Sequence, residues 1–219
     1  LGAEVEVGAR VCLGAHAIVE ACCRLDDDVV LESGVVLGPR CVLEARVGVG
    51  AGSVIGRPGF GFAHEAGVWA RLPHLGGVHI GADCQIAALC TIDAGTFEPT
   101  RIGARTRIDS HVHIAHNADI GADCVLLAQV GLAGSVSLGD GCVLAGQVGV
   151  ANGLRLGART QVAAQGGVGR NTVPGMRLGG SPAIELELWR RAQTLLRLLA
   201  EAPPADGRSA LDPDASGDT

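Results

Sequence analysis

The sequence predicts an all-β fold, a left-handed parallel β-helix closed by one C-terminal α-helix. Three observations carry that prediction. An aliphatic residue returns every six positions, glycine is abundant where aromatics are scarce, and the pattern stops at a Gly-Gly-Ser-Pro step before a segment rich in Leu, Glu and Arg. Of the 219 residues, 34 are glycine, about twice the usual ~7% share. There is no tyrosine, and only three phenylalanines and two tryptophans, so the core must be built from Val, Leu, Ile, Ala and Cys.

The repeat begins at Leu1 and continues through Val7, Leu13, Val19, Leu25, Leu31, Leu37, Leu43 and Val49 to Ile55 without a miss. After a break it returns at Ile80, Ile86 and Ile92. A four-residue insertion near Phe97-Glu98-Pro99 follows, and eleven further aliphatics run in phase from Ile102 to Val162. A period of six is not helical. It suits a short strand and a turn, with the aliphatic and the small residue two before it on one inward face. The Gly or acidic residue after the aliphatic is expected to let the chain turn. Three such units make a triangular coil of 18 residues, and stacked coils pair their strands in parallel around a column of aliphatic rungs. Cys23, Cys41, Cys84, Cys90, Cys124 and Cys142 hold the small inward position and read as buried hydrophobes.

The β-helix is expected over residues 1–182, with loop insertions near 57–79 and 97–101. Gly179-Gly180-Ser181-Pro182 ends the β pattern. Residues 183–202 then read as a helix, with Leu188, Leu195 and Leu199 near helical spacing. Pro203-Pro204 stops it, and the polar Asp- and Gly-rich stretch 203–219 reads as a disordered tail.

Composition excludes several classes of function. A net charge of −6 argues against a nucleic-acid surface. No apolar run reaches the ~18 residues of a membrane span, and no signal peptide opens the chain. The chain is too long and apolar for a disulfide-stapled scaffold, and its eight cysteines include no Cys-x-x-Cys pair. Reduced cysteines in a cytoplasmic protein are expected.

A regular coil needs no histidine, yet His111, His113 and His116 fall within one six-residue stretch of a chain that has only seven. Their phase relative to the inward Ile108 and Ile114 puts His113 outward on its strand and His111 and His116 in the corner turns. An outward histidine is a candidate general base or ligand contact. One coil after His116 comes Gly134, whose missing side chain lets a substrate approach and whose N–H could serve a developing oxyanion. The insertion Gly56-Arg57-Pro58-Gly59-Phe60-Gly61-Phe62-Ala63 carries two of the three phenylalanines. Phe60 and Phe62 read as a wall of a ligand groove, because loops that interrupt a solenoid tend to line its binding face.

Four segments, Gly59-Phe60-Gly61-Phe62-Ala63, Thr91-Ile92-Asp93-Ala94-Gly95, Ile114-Ala115-His116-Asn117 and Gly180-Ser181-Pro182-Ala183, with Trp189-Arg190-Arg191 beyond, occur in this order. In them the sequence resembles the UDP-3-O-acylglucosamine N-acyltransferases of lipid A biosynthesis, over roughly residues 1–200. The resemblance implies a homotrimer with active sites between neighbouring subunits. It implies transfer of a 3-hydroxyacyl chain from acyl carrier protein to the 2-amino group of a UDP-3-O-acylglucosamine, with acyl carrier protein as co-substrate and no metal or other cofactor. His116 matches the family's catalytic base. Asn117 matches the position beside it, which helps hold the donor or acceptor, and Asp93 matches the family's Thr-Ile-Asp segment, as a residue of the substrate site that orients the histidine. In the family the C-terminal helix serves trimer packing and carrier-protein contact.

Three departures qualify the match. The family carries a further N-terminal domain that helps grip uridine, whereas this chain opens in mid-repeat at Leu1, as a fragment or a short relative without that site. Asn152-Gly153 stands where the family often has a second histidine two coils past the base. Ala94 replaces an arginine of the family's Thr-Ile-Asp-Arg-Gly. Other readings are a transferase acting on another amino sugar or on a sugar hydroxyl, a non-catalytic paralogue, and a zinc carbonic-anhydrase-like enzyme. The last would use His111 and His116, five apart, with His74 or His79 from a neighbouring subunit.

Overall fold

The structure, a computed structural model, describes residues 1–202; the expected helix stop at Pro203-Pro204 and the tail 203–219 lie outside the described residues. Short strands follow one another around three faces. The first face carries eight strands, from Glu6–Val7 to Arg155–Leu156, and the third eight, from Ile18–Val19 to Gly167–Val168. The second face carries ten, from Cys12–Leu13 to Ile184–Glu185. Apart from the last pair on the second face, the neighbours within each face run parallel, in register but for one shift after Ile92 on the third face, so that Ile92 lies beside Ile114 and Ile114 beside Leu132. This is the expected β-helix.

Two residues of each six point inward, the aliphatic and the small residue two before it, and these inward rows make the core. Ile55, Ile92, Ile114, Leu126, Leu132 and Leu144 are fully buried, as are the six cysteines at the small inward position. Val7 and Leu13 are exposed although they belong to the same row, because the first coil has a neighbour on one side only. Among the described residues no helix is long and apolar enough to cross a membrane.

Two expectations are corrected. Except at Gly56 (φ 80°), the residue after the aliphatic does not turn the chain. Positive φ falls two residues further on, at Arg40 (60°) after Leu37 and Arg46 (61°) after Leu43. A two-residue corner places its second residue in the left-handed region whatever its side chain, at about 1 kcal/mol or more each. Glycine after the aliphatic serves close approach instead: a Cβ on Gly50 would lie 2.6 Å from the Ala87 and Ala88 backbone of the next coil.

The β pattern also does not end at Pro182. Ile184–Glu185 folds back antiparallel on Arg177–Gly179, and the helix α1 spans Leu186–Glu201. The Glu185 side chain caps it, accepting from the Leu188 N–H at 2.8 Å. Trp189 then lies over Gly180, where a Cβ would come within 2.3 Å of its ring, so the helix closes the end of the solenoid.

Candidate active site

The coil has three corners, and both insertions leave it at the same one, between the third face and the first. The long insertion joins Val54–Pro58 to Val78–Ile80 and contains the antiparallel hairpin Phe62–Glu65/Val68–Arg71. The short one joins Thr91–Ala94 to Thr100–Ile102 in the next coil. They brace each other: the Leu75 N–H donates to the Thr96 carbonyl at 2.8 Å and the Gly76 N–H to Gly95 at 2.9 Å. His116 and Asn117 turn this corner one coil later, Gly134 and Ser135 the next, and Asn152 and Gly153 the one after.

His116 is half-buried there. A Cβ placed on Gly134 would sit 2.8 Å from His116 Cε1, 3.0 Å from its Nε2 and 3.0 Å from Asn152 Oδ1. Gly134 therefore keeps open the space that the Nε2 edge of the ring faces. Its N–H donates to no other group among the described residues. Burial, then repulsion from His74, push His116 below the usual histidine range, while the charge of Asp93 pulls the other way.

Asn117 holds the other edge of the ring. The Thr96 N–H donates to Asn117 Oδ1 at 2.7 Å, which fixes the amide and turns its Nδ2 to His116 Nδ1 at 3.0 Å and Thr96 Oγ1 at 3.1 Å. An amide nitrogen only donates, so Nδ1 accepts and the neutral ring holds its proton at Nε2. The Asn117 N–H donates to the buried Thr100 Oγ1 at 3.0 Å, which holds the corner at φ 59°, a conformation asparagine tolerates well.

Asp93 is 1% exposed and makes no hydrogen bond with His116. Arg57 Nε, from the neighbouring strand, is 2.8 Å from Asp93 Oδ1, and His113 Nε2 is 3.9 Å from Oδ2. Neither oxygen receives a well-directed hydrogen bond, so the contact with Arg57 is an ion pair without one. Asp93 thus acts on His116 through its charge alone. The expectations that it orients the base and belongs to the substrate contacts find no contact here, because the carboxylate is buried on the third face and not at the corner. Ala94 leaves no guanidinium on that strand, and Arg57 supplies one across the ladder, where Asp93 pairs with Arg57 and Ala94 with Pro58.

His113 stands outward on the third face as expected, with Nδ1 at 2.7 Å from Thr91 Oγ1. Phe60 and Phe62 meet edge to face at 4.9 Å and are 85% and 38% exposed, lining a small apolar hollow with Trp69. What packs on the site is not these rings but the glycines beside them. Gly59 lies against both His116 and His74, and Gly61 against His74.

The zinc arrangement does not form within the chain. His111 turns the corner between the second and third faces, and His79 sits on the first face with Glu44 Oε1 at 2.9 Å. No group of three metal-capable side chains occurs among the described residues. His74, Thr96 and Thr100 are the site residues that sequence reasoning passed over as such. The signal for them was the shared phase of the two insertions with His116.

No family model matches the chain. A UDP-3-O-acylglucosamine N-acyltransferase from Methylobacterium sp. (strain 4-46) is 40% identical over 163 residues, which are 74% of this chain and 46% of that protein. One from Pseudomonas aeruginosa (strain LESB58) is 46% identical over 84 residues, 38% of this chain and 24% of that protein. The chain spans half or less of the length of these relatives. Among solved structures, a UDP-N-acetylglucosamine acyltransferase from Campylobacter jejuni superposes with a TM-score of 0.77 at 25% identity, over 90% of this chain and 79% of that one. LpxA from Acinetobacter baumannii does so at 0.77 and 19%, over 87% and 75% of the two chains, a likeness of fold. The chain is a homologue of the UDP-3-O-acylglucosamine N-acyltransferases, folded as the left-handed β-helix of the LpxA-like hexapeptide-repeat acyltransferases.

Proposed function

We propose that the chain carries the acyl-transfer site of an N-acyltransferase, which moves a 3-hydroxyacyl group from acyl carrier protein to the 2-amino group of UDP-3-O-acylglucosamine. The observation that carries this reading is the corner itself, where a half-buried histidine faces a gap held open by a glycine with an uncommitted N–H. The acceptor nitrogen attacks the thioester carbonyl. A C–N bond forms, the C–S bond breaks, and the carrier's thiol leaves. His116 takes the proton of the attacking amine and returns it to the departing thiolate, and the Gly134 N–H serves the tetrahedral oxyanion. Receiving a proton at Nε2 requires the tautomer with Nδ1–H. Reaching it breaks the hydrogen bond in which the clamped Asn117 Nδ2 donates to Nδ1.

His113, Asn117, Phe60 and Phe62 are the substrate contacts of this reading. The acyl thioester is a co-substrate and no further cofactor takes part. Three copies of the chain assemble, in the cytoplasm, with the sites between them. The test is amide formation followed by mass spectrometry, using purified protein, 3-hydroxyacyl carrier protein and UDP-3-O-acylglucosamine. His116→Ala is expected to lose roughly 10²–10⁴-fold in rate. Equal transfer by wild type and variant would remove the histidine mechanism. Transfer to a sugar hydroxyl alone would overturn the amine as acceptor.

A further inference from the structure

One buried titratable side chain against this site takes no part in the transfer just described. His74 is 7% exposed. Its ring meets that of His116 edge to face, with centroids 5.0 Å apart and planes at 62°. His74 Nδ1 is 3.1 Å from the Leu72 carbonyl oxygen, which can only accept, so the neutral ring keeps its proton there and turns a bare Nε2 inward. The contact is built by absent side chains. A Cβ on Gly59 would lie 2.9 Å from His116 Cδ2 and 3.1 Å from His74 Nε2, and one on Gly61 would lie 2.8 Å from His74 Cε1. The segment carrying His74 is in turn tied down at Leu75 and Gly76 to the short insertion that also positions Asn117.

We propose that His74 is a positioning residue for His116: its buried ring fixes the plane of the second imidazole, and a proton gained by either ring disfavours one on the other, so that His116 stays neutral with its Nε2 edge aimed into the gap beside Gly134. Two cations at this separation in a half-buried corner repel strongly. The charged and titratable groups around His116 divide by element. The long insertion presents His74, the third-face strands present Asp93 with Arg57 paired to it, and the strand leading into the corner presents His113. Asp93 attracts a proton to His116 and is partly neutralised by Arg57, which leaves burial first and His74 second to hold the proton off, and His116 accordingly lies below the ordinary histidine range.

The role rests on the reading of His116 as the base, but its test does not need the reaction. The pH titration of the His116 imidazole is followed by NMR in the free protein, in wild type and in His74→Gln, which keeps the bulk and removes the charge. In wild type the midpoint is expected below the ordinary value of about 6.5. In the variant it is expected to move up, and the acid limb of the kcat/KM profile to move up with it. Superimposable His116 curves in the two proteins would overturn the proposal. If the variant does not fold, the wild-type curve decides alone, since a midpoint at or above the ordinary value overturns it. If neither protein transfers an acyl group yet the His116 midpoint shifts, the proposed reaction has failed and the coupling of the two rings stands.

Discussion

What His116 can do depends on which of its nitrogens holds the proton, and that is decided by a neighbouring amide. Asn117 is clamped through Oδ1 by the Thr96 N–H and so offers His116 a donor. Asn117→Asp keeps the shape and reverses that role. The carboxylate accepts from Nδ1–H and attracts charge, so the His116 pKa rises and the ring exposes a bare Nε2. The expected outcome is an imidazole nitrogen spectrum switched to the Nδ1–H tautomer, with the acid limb of activity displaced to higher pH. A spectrum that keeps the proton on Nε2 would remove Asn117 as the controlling group. The histidine and its asparagine were legible from phase and motif. Their hydrogen bonds were not, because Thr96 and Thr100 lie 21 and 17 residues away and meet Asn117 only after two coils stack.

Each element of this fold is two residues of strand and a corner, too short to be stable alone, and it holds because its aliphatic is sealed between identical neighbours. Leu126 shows the consequence, being fully buried between Ile108 and Leu144 on the second face. Leu126→Ala is expected to cost about 2–5 kcal/mol, read by denaturant unfolding, because stacked coils on both sides limit collapse into the cavity. The hexapeptide period predicted a short strand at each recurring aliphatic. It missed the strand at Ile184–Glu185, which carries no repeat of its own and exists only because Arg177–Gly179 offers an unpaired edge.

Over the whole molecule, one corner carries an alternating column of charge. Arg10, Asp28, Arg46, Asp83, Arg105 and Asp123 all sit at positive φ where the first face turns into the second. Arg10 pairs with Asp28, Arg46 with Asp83 and Arg105 with Asp123, each through two hydrogen bonds. The arginine hydrogen bonds hold Asp28, Asp83 and Asp123 below the usual carboxylate range. Their folded pKa values lie below the unfolded ones, so the pairs' contribution is complete above about pH 4 and is lost as pH falls through the folded values. Because the pairs are exposed and screened by solvent, the melting temperature is expected to fall only modestly on their account below about pH 4. Replacing the three aspartates by Asn should flatten that fall, and added salt should lower the melting temperature of the wild type more than that of the variant. Equal acid profiles would show the column to be inert.

The sequence by itself determined the solenoid, its three faces, the direction of the side chains within the repeat and the corner that holds His116. All of these follow from a period of six, and a period is a local property of the chain. Only the tertiary structure decided what stands around that histidine. His74 comes from a hairpin insertion that has no period, Thr96 from a loop in the coil before, and Arg57 replaces a cation that Ala94 lacks. These contacts form between coils and between insertions. Their geometry is set by how the backbone stacks and by where glycine leaves room, which no spacing along the chain records.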